Sequence, residues 1–218
     1  MFTRQLTRTI NIPKKIEDFL VSIKPYKGGD WDRYDEEIKI LKKTIKDQLT
    51  CLQDGKCAYC GLELATRAPE IEHIAPKGGK IRPKHVEFVF LPLNLVMACR
   101  RCNNPTHKGQ KDTIATKSLN YSDCEFTIVH PYLDDPNDFF EFVESLGVVD
   151  GIIQMPKCTS TDAKKNKARF TIKMFGLDTE EVILARAEQL CYRNRCFQLT
   201  DKSNKLIKDV VSYIPNNV

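Results

Sequence analysis

The chain is 218 residues long, 41% hydrophobic and 29% charged, with a formal net charge of +5. That composition is enough for a buried core, and the chain shows no internal repeat and no low-complexity tract. No run approaches the ~18 consecutive apolar residues of a membrane helix. The opening Met1-Phe2-Thr3-Arg4-Gln5 lacks the apolar region of a secretory signal, so a cytoplasmic protein with reduced thiols and no membrane partner is expected.

Residues 1–30 are mixed, with turn formers at Pro13, Pro25, Gly28 and Gly29. Trp31, Tyr34, Ile38, Leu41, Ile45, Leu49 and Leu52 then recur at intervals of three and four. This spacing predicts one long amphipathic helix, with Asp30 as its cap and Asp54-Gly55 as its end. Leu62-Glu63-Leu64 and Ile71–Ile74 read as two short strands joined by a turn containing Pro69. Pro76–Pro83, rich in Gly and Lys, reads as a loop. Asn94–Ala98 runs into a cysteine pair, and Asn104-Pro105 looks like a helix start.

Beyond Asn120, Glu125–His130 reads as a strand and Pro131–Asp138 as an acidic turn. Phe139–Phe142 and Gly147–Ile153 read as further strands, and Thr159–Lys167 as a polar link. Asp178-Thr179-Glu180-Glu181 is a candidate capping box. The helix it opens would carry Ile183, Ala187, Leu190 and Cys191 on one face.

Two knuckles, Cys57-Ala58-Tyr59-Cys60 and Cys99-Arg100-Arg101-Cys102, can place four thiolates around one zinc ion. A zinc so enclosed has no open position and acts as a staple. The other cysteines, Cys51, Cys124, Cys158, Cys191 and Cys196, read as ordinary buried thiols. His85 and His130 read as structural or solvated.

Between the knuckles lies Glu72-His73, with Asn94, Asn103 and Asn104 nearby. Cutting a phosphodiester requires a group that takes a proton from water and a cation that offsets charge at phosphorus. A neutral imidazole, which titrates at about pH 6.5 when unperturbed, suits the first task. Carboxylate and amide oxygens suit a hard divalent cation. On a regular strand, however, Glu72 and His73 would point to opposite faces. Both can address one phosphate only where the backbone departs from the ladder. Basic residues cluster at Arg100, Arg101, Lys108, Lys111 and Lys117 and again at Lys164, Lys165, Lys167, Arg169 and Lys173. Such clusters favour a polyanion, although solvated faces would look the same.

Cys57-x2-Cys60, Glu72-His73-Ile74-x-Pro76, Asn94-Leu95, Cys99-x2-Cys102-Asn103 and Lys108-Gly109 together resemble the HNH endonucleases of the ββα-metal fold. Ile71–Lys77 is most similar to the HNH nucleases of bacterial anti-phage systems, the Septu and retron-associated type. His130–Pro136 and Phe139–Phe142 resemble that group's C-terminal part. The resemblance is strong across about 56–118, weaker to about 200 and adds little over the first 50 residues; it implies a zinc-stapled ββα-metal module, set at 51–118. An α+β protein is expected, with a helical N-terminal arm over 1–50 and a mixed α/β accessory region over 119–218; both flanking segments exceed what the nuclease motif needs and are expected to brace it and bind a partner. The resemblance implies His73 as general base, Asn94 as the residue orienting it, and Glu72 and Asn103 as ligands of a catalytic Mg2+ or Mn2+. It also implies a phosphate contact for Lys108, with DNA as substrate and an ATPase subunit encoded nearby as partner. Arg100, Arg101 and Lys111 are further candidates for phosphate. The spacing from Asn103 to Lys108 is longer than in the family, so Asn104 or His107 competes with Asn103 at the metal. The alternative is a zinc-ribbon-like module that binds nucleic acid or a partner without cutting.

Overall fold

The structure, a computed structural model, describes residues 5–145 and 149–193. After a first short helix α1 (Lys14–Ser22) and a 3-10 turn at Asp30–Asp32, helix α2 spans Glu36–Leu52. The helix therefore starts later than the apolar spacing predicts. Trp31 is buried within the preceding turn and Tyr34 is exposed. Asp35 stands at the cap position, but its carboxylate is held by Arg33 at 2.7 and 3.0 Å instead of by the helix. The stripe itself is as expected: Ile38, Leu41, Ile45 and Leu49 are fully buried.

The central strands are β1 (Pro69–His73) and β2 (Leu95–Cys99), antiparallel, in register from Pro69 opposite Cys99 to His73 opposite Leu95. Leu62–Leu64 is not the partner strand; Glu63 makes one isolated bridge to Lys56. β2 is buried throughout, as its unbroken apolar run requires when both faces are covered. Among the described residues its outer edge has no third strand. There Gln53 substitutes: its Nε2 donates to Met97 O at 2.9 Å, and its Oε1 accepts from Met97 N at 2.7 Å. Buried backbone groups are thus paired without further sheet.

Helix α3 (Arg100–Asn103) follows β2 directly and ends at Asn104. Asn104-Pro105 is therefore a helix exit and not a start. The Asn104 side chain accepts from the amides of Thr106 (3.0 Å) and His107 (3.1 Å), a local turn that competes with helix. A small pair, β3 (Ile114–Thr116) and β4 (Glu125–Phe126), comes next. β4 is shorter than the expected 125–130 because the chain turns toward Pro131, with His130 N bonded to Asp134 at 2.7 Å.

The hairpin β5 (Phe140–Ser145) and β6 (Val149–Pro156) matches the two later strand expectations. The polar link instead opens helix α4 (Asp162–Phe175), capped by Thr161 and closed by Gly176 in a left-handed conformation. Helix α5 spans Glu180–Arg193. Val182, Ala185 and Arg186 form its buried side, while Ile183 and Ala187 are partly covered. Glu181 pairs with Arg101 at 3.1 Å. The side chains of Leu190 and Cys191, and all of Cys196, lie outside the described residues. Of the remaining thiols, Cys124 is buried, but Cys51 and Cys158 are exposed. One core cluster draws on 1–50, on 51–118 and on the described part of 119–218, from Ile10 to Ala185. Among the described residues no helix is long and apolar enough to cross a membrane.

Candidate active site

Cys57, Cys60, Cys99 and Cys102 are all buried, with their sulfurs within 4.8 Å of one another. Cys60 and Cys99 are 3.8 Å apart. Four sulfurs at ~2.3 Å from a central zinc would stand about 3.8 Å from each other, so the thiols fit a tetrahedral zinc. Burial pushes the Cys57 thiol up, whereas the hydrogen bond with Cys102 holds Cys60 and, more strongly, Cys99 down. Buried thiols so close cannot all ionise without a cation among them. Arg186 is buried nearby, where the charge of Cys60 and Cys102 opposes the burial that lowers its pKa. The α4–α5 junction covers these knuckles: Phe175 stacks on Tyr59 with centroids 4.1 Å apart, and Gln189 bonds Glu63 N (2.8 Å) and Gly61 O (3.2 Å).

The other end of the strand pair faces a cleft of about 460 Å³ whose lining includes Trp31, Glu72, His73, Lys77, Asn103 and Lys108. His73 is the last residue of β1, and the chain leaves the ladder immediately after it. That departure lets Glu72 and His73 line the same cleft despite their adjacency. The bend is held by Asn94, fully buried, whose Oδ1 accepts from Ala75 N (2.7 Å). Its Nδ2 donates to Ala75 O (3.1 Å) and Phe88 O (3.0 Å). Behind Asn94, Tyr121 donates to the same Oδ1 at 2.8 Å and sits 3.0 Å from His130 Nε2. His130 Nδ1 accepts from the amides of Tyr132 and Leu133, which fixes its tautomer. His130 is therefore a buried member of a bonded chain, and His85 is likewise buried, against Asp112 at 2.9 Å.

His73 Nε2 lies 3.0 Å from the carbonyl of Val89. A carbonyl can only accept, so Nε2 carries the proton and Nδ1 keeps the lone pair. Burial, assisted by the charge of Lys77, lowers the pKa of His73 to about 3, so the ring is neutral across the physiological range and well below pH 6.5. Trp31 packs against it nearly perpendicularly, with centroids 4.5 Å apart. Sequence spacing placed Trp31 on a helix stripe. The signal for its place in the cleft was the turn-forming Gly28-Gly29 before it, and that alone does not identify a site residue.

Glu72 is buried and ion-paired to Lys108, which is itself 1% exposed and also donates to His73 O at 2.8 Å. Burial pushes the Glu72 carboxyl up, and the Lys108 charge opposes that. Lys108 thus turns inward. Asn103 donates through Nδ2 to Glu70 at 2.7 Å, leaving its carbonyl oxygen for another partner. Glu72 and Asn103 are oxygen donors on one cleft, which suits a hard cation that completes its shell with water and phosphate. His107 does not line the cleft; its ring lies beside the Asn104 side chain at 3.3 Å and near Gly176.

Arg100 is exposed at the start of α3. Arg101 is engaged, donating to Phe175 O (2.7 Å), Gly176 O (3.3 Å) and Thr179 (3.1 Å) besides Glu181. Lys111 is exposed and donates to Thr106 O at 3.1 Å. In the second basic cluster, Lys164 and Lys167 are neutralised by Asp138 (2.6 Å) and Asp134 (2.7 Å) of the acidic turn.

No family model matches the chain. The chain is similar to a protein of Vibrio cholerae serotype O1 biovar El Tor named "Retron Vc95 putative HNH endonuclease". The identity is 25% over 183 residues, covering 83% of this chain and 79% of the relative.

Proposed function

We propose that this chain is a divalent-metal-dependent endonuclease of the HNH type, hydrolysing DNA phosphodiester bonds. The observation that carries the reading is the placement of His73: Nε2 is committed to Val89, which leaves the unprotonated Nδ1 to accept, and the residue lines the same cleft as Glu72 and Asn103. Water positioned in the cleft loses a proton to Nδ1 as its oxygen bonds to phosphorus, and the bond from phosphorus to the leaving sugar oxygen breaks. Asn94 holds the bend that sets the His73 ring. Glu72 and Asn103 would hold the divalent cation, Mg2+ or Mn2+, which supplies charge neutralisation at the phosphate and leaving oxygen. Cys57, Cys60, Cys99 and Cys102 would hold a structural zinc apart from the reaction.

We further propose, on the resemblance of Ile71–Lys77 to nucleases of anti-phage systems, that it is a defence effector controlled by an ATPase partner; the relative carries retron and HNH endonuclease in its name. The 1–50 and 119–218 segments, larger than bracing a small module requires, would offer that partner its surface.

Plasmid nicking by wild type and His73→Ala tests the mechanism. Loss of general-base catalysis should cost ~10²–10⁴ in rate with zinc content and DNA binding retained. EDTA should stop cutting, and Mg2+ or Mn2+ should restore it. Equal cutting by both proteins overturns the assignment. The buried Lys108–Glu72 pair favours one second reading, a module that binds nucleic acid without cleaving it, because Lys108 already neutralises the carboxylate. Tight DNA binding by metal-loaded protein without any cutting would support that alternative.

A further inference from the structure

The loop between β1 and β2 carries an apolar residue held out into solvent between two cations. Its neck is closed by an antiparallel bridge between Gly78 and Pro83, by Gly79 N to Arg82 O at 3.0 Å, and by Lys84 N to Lys77 O at 3.0 Å. Gly78 adopts φ +69, and a Cβ there would come within 2.3 Å of Arg82 O, so the tight neck requires glycine. From outside, the N-terminal segment braces the loop: a Cβ on Gly28 would meet Gly79 O at 2.8 Å and Pro83 Cβ at 2.9 Å. Lys77 is tied to Asp32 at 3.0 Å and Lys84 to Gln110 O at 2.6 Å. The loop is therefore anchored on both sides.

At its tip Ile81 is 93% exposed. Its neighbours Lys80 and Arg82 are exposed too, and among the described residues neither forms an ion pair. Tyr34 and Leu119 are as exposed, but Tyr34 lies between Arg33 and Asp35 and Leu119 between Ser118 and Asn120. Only at Ile81, among these three, does an apolar side chain project between two unpaired cations. The base of the loop, Lys77 and Gly78, lines the cleft that holds His73. Proteins that kink duplexes insert Ile, Leu, Met or Phe between base steps while neighbouring Arg and Lys hold phosphates.

We propose that Ile81 is a wedge that enters the base stack of duplex DNA lying across the cleft, with Lys80 and Arg82 on the flanking phosphates. Opening a step there would bend the strand and present its phosphate to His73. The proposal rests on reading the cleft as a DNA-cutting site and adds its substrate, a duplex distorted on binding.

The test uses the full chain with calcium replacing magnesium, mixed with duplexes that carry 2-aminopurine at successive positions. Wild type should raise the emission at one position. Ile81→Leu should keep that rise and Ile81→Ser should lose it. Lys80→Ala and Arg82→Ala should each lower the slope of log affinity against log salt by about 0.9, whereas Ile81→Ser should leave the slope unchanged. With magnesium, Ile81→Ser should cut a matched duplex on the order of tenfold more slowly, or worse. It should cut normally where a mismatch has already opened the step. A wild type that raises no emission overturns the wedge, and so does an Ile81→Ser protein that matches wild type in emission and in cutting of matched DNA; the nuclease reading survives both results. A rise in emission that depends on Ile81, with no cutting of any substrate, keeps the wedge and overturns the nuclease.

Discussion

The two ends of the β1–β2 pair are built on opposite principles. Pro69 opposite Cys99 leads into four mutually close thiols, while His73 opposite Leu95 opens into the cleft. Four residues of strand, at ~3.4 Å each, put only about 14 Å between these ends. At the thiol end every donor atom faces another donor atom and the α4–α5 junction closes over them. The cleft is lined instead by unlike groups around open space, with His73, Glu72 and Lys108 joined by Asn103 from the helix after β2.

Removing the rigid end should have the largest effect. Cys99→Ser should lower zinc content and unfold the module, since structural zinc supplies about 10–16 kcal/mol of apparent binding energy in small zinc-dependent folds. Metal analysis together with a thermal melt checks this, and a zinc-free wild type with the same melting temperature would break the comparison. Next in size is the wall of the open end. Trp31→Ala removes a buried ring and should cost about 3–5 kcal/mol of stability, while Trp31→Phe should retain most of it. If Trp31 also positions His73, the phenylalanine protein should cut DNA more slowly at unchanged KM. Urea unfolding and steady-state cleavage separate the two roles.

The smallest effect concerns His130, behind Asn94. Burial lowers its pKa to about 3. The unfolded chain takes up a proton there once the pH falls below about 6.5, and the folded chain does not until about 3, so stability is present above the unfolded value and declines as pH falls between them. The decline is about 1.4 kcal/mol per pH unit for one such group. His130→Gln should flatten the urea-measured pH dependence by about that slope between pH 6 and 4. An unchanged slope would mean that His130 titrates freely, and the chain from His130 through Tyr121 to Asn94 would then not be built as described.

The zinc knuckles were legible because both ligands of each pair are three residues apart, so chain geometry alone brings them near. Glu72 and His73 stood out by chemistry, and the buried face of α2 by its period. Other features depended on distant contacts. Leu62–Leu64 looked like the natural partner of Ile71–Ile74, being close in sequence, yet β1 pairs with Leu95–Cys99, whose continuous apolar run is covered on both faces. Asn104-Pro105 carried the composition of a helix start, but its side chain closes a turn at the end of α3.

What the sequence determined by itself is the inventory: four thiols in two local pairs, a carboxylate beside an imidazole, an amphipathic helix, and a Gly-Lys loop between strands. These follow from composition, period and covalent spacing, which no tertiary contact can alter. The tertiary structure decided which groups face one another. It turned Lys108 inward onto Glu72, where a basic cluster suggested an exposed cation. It brought Trp31 from the N-terminal segment against His73, and it ended β1 at His73 so that adjacent side chains share one cleft. Each of these outcomes is set by burial and long-range pairing, where the cost of leaving a charge or amide unpartnered selects one arrangement from many that the local sequence permits.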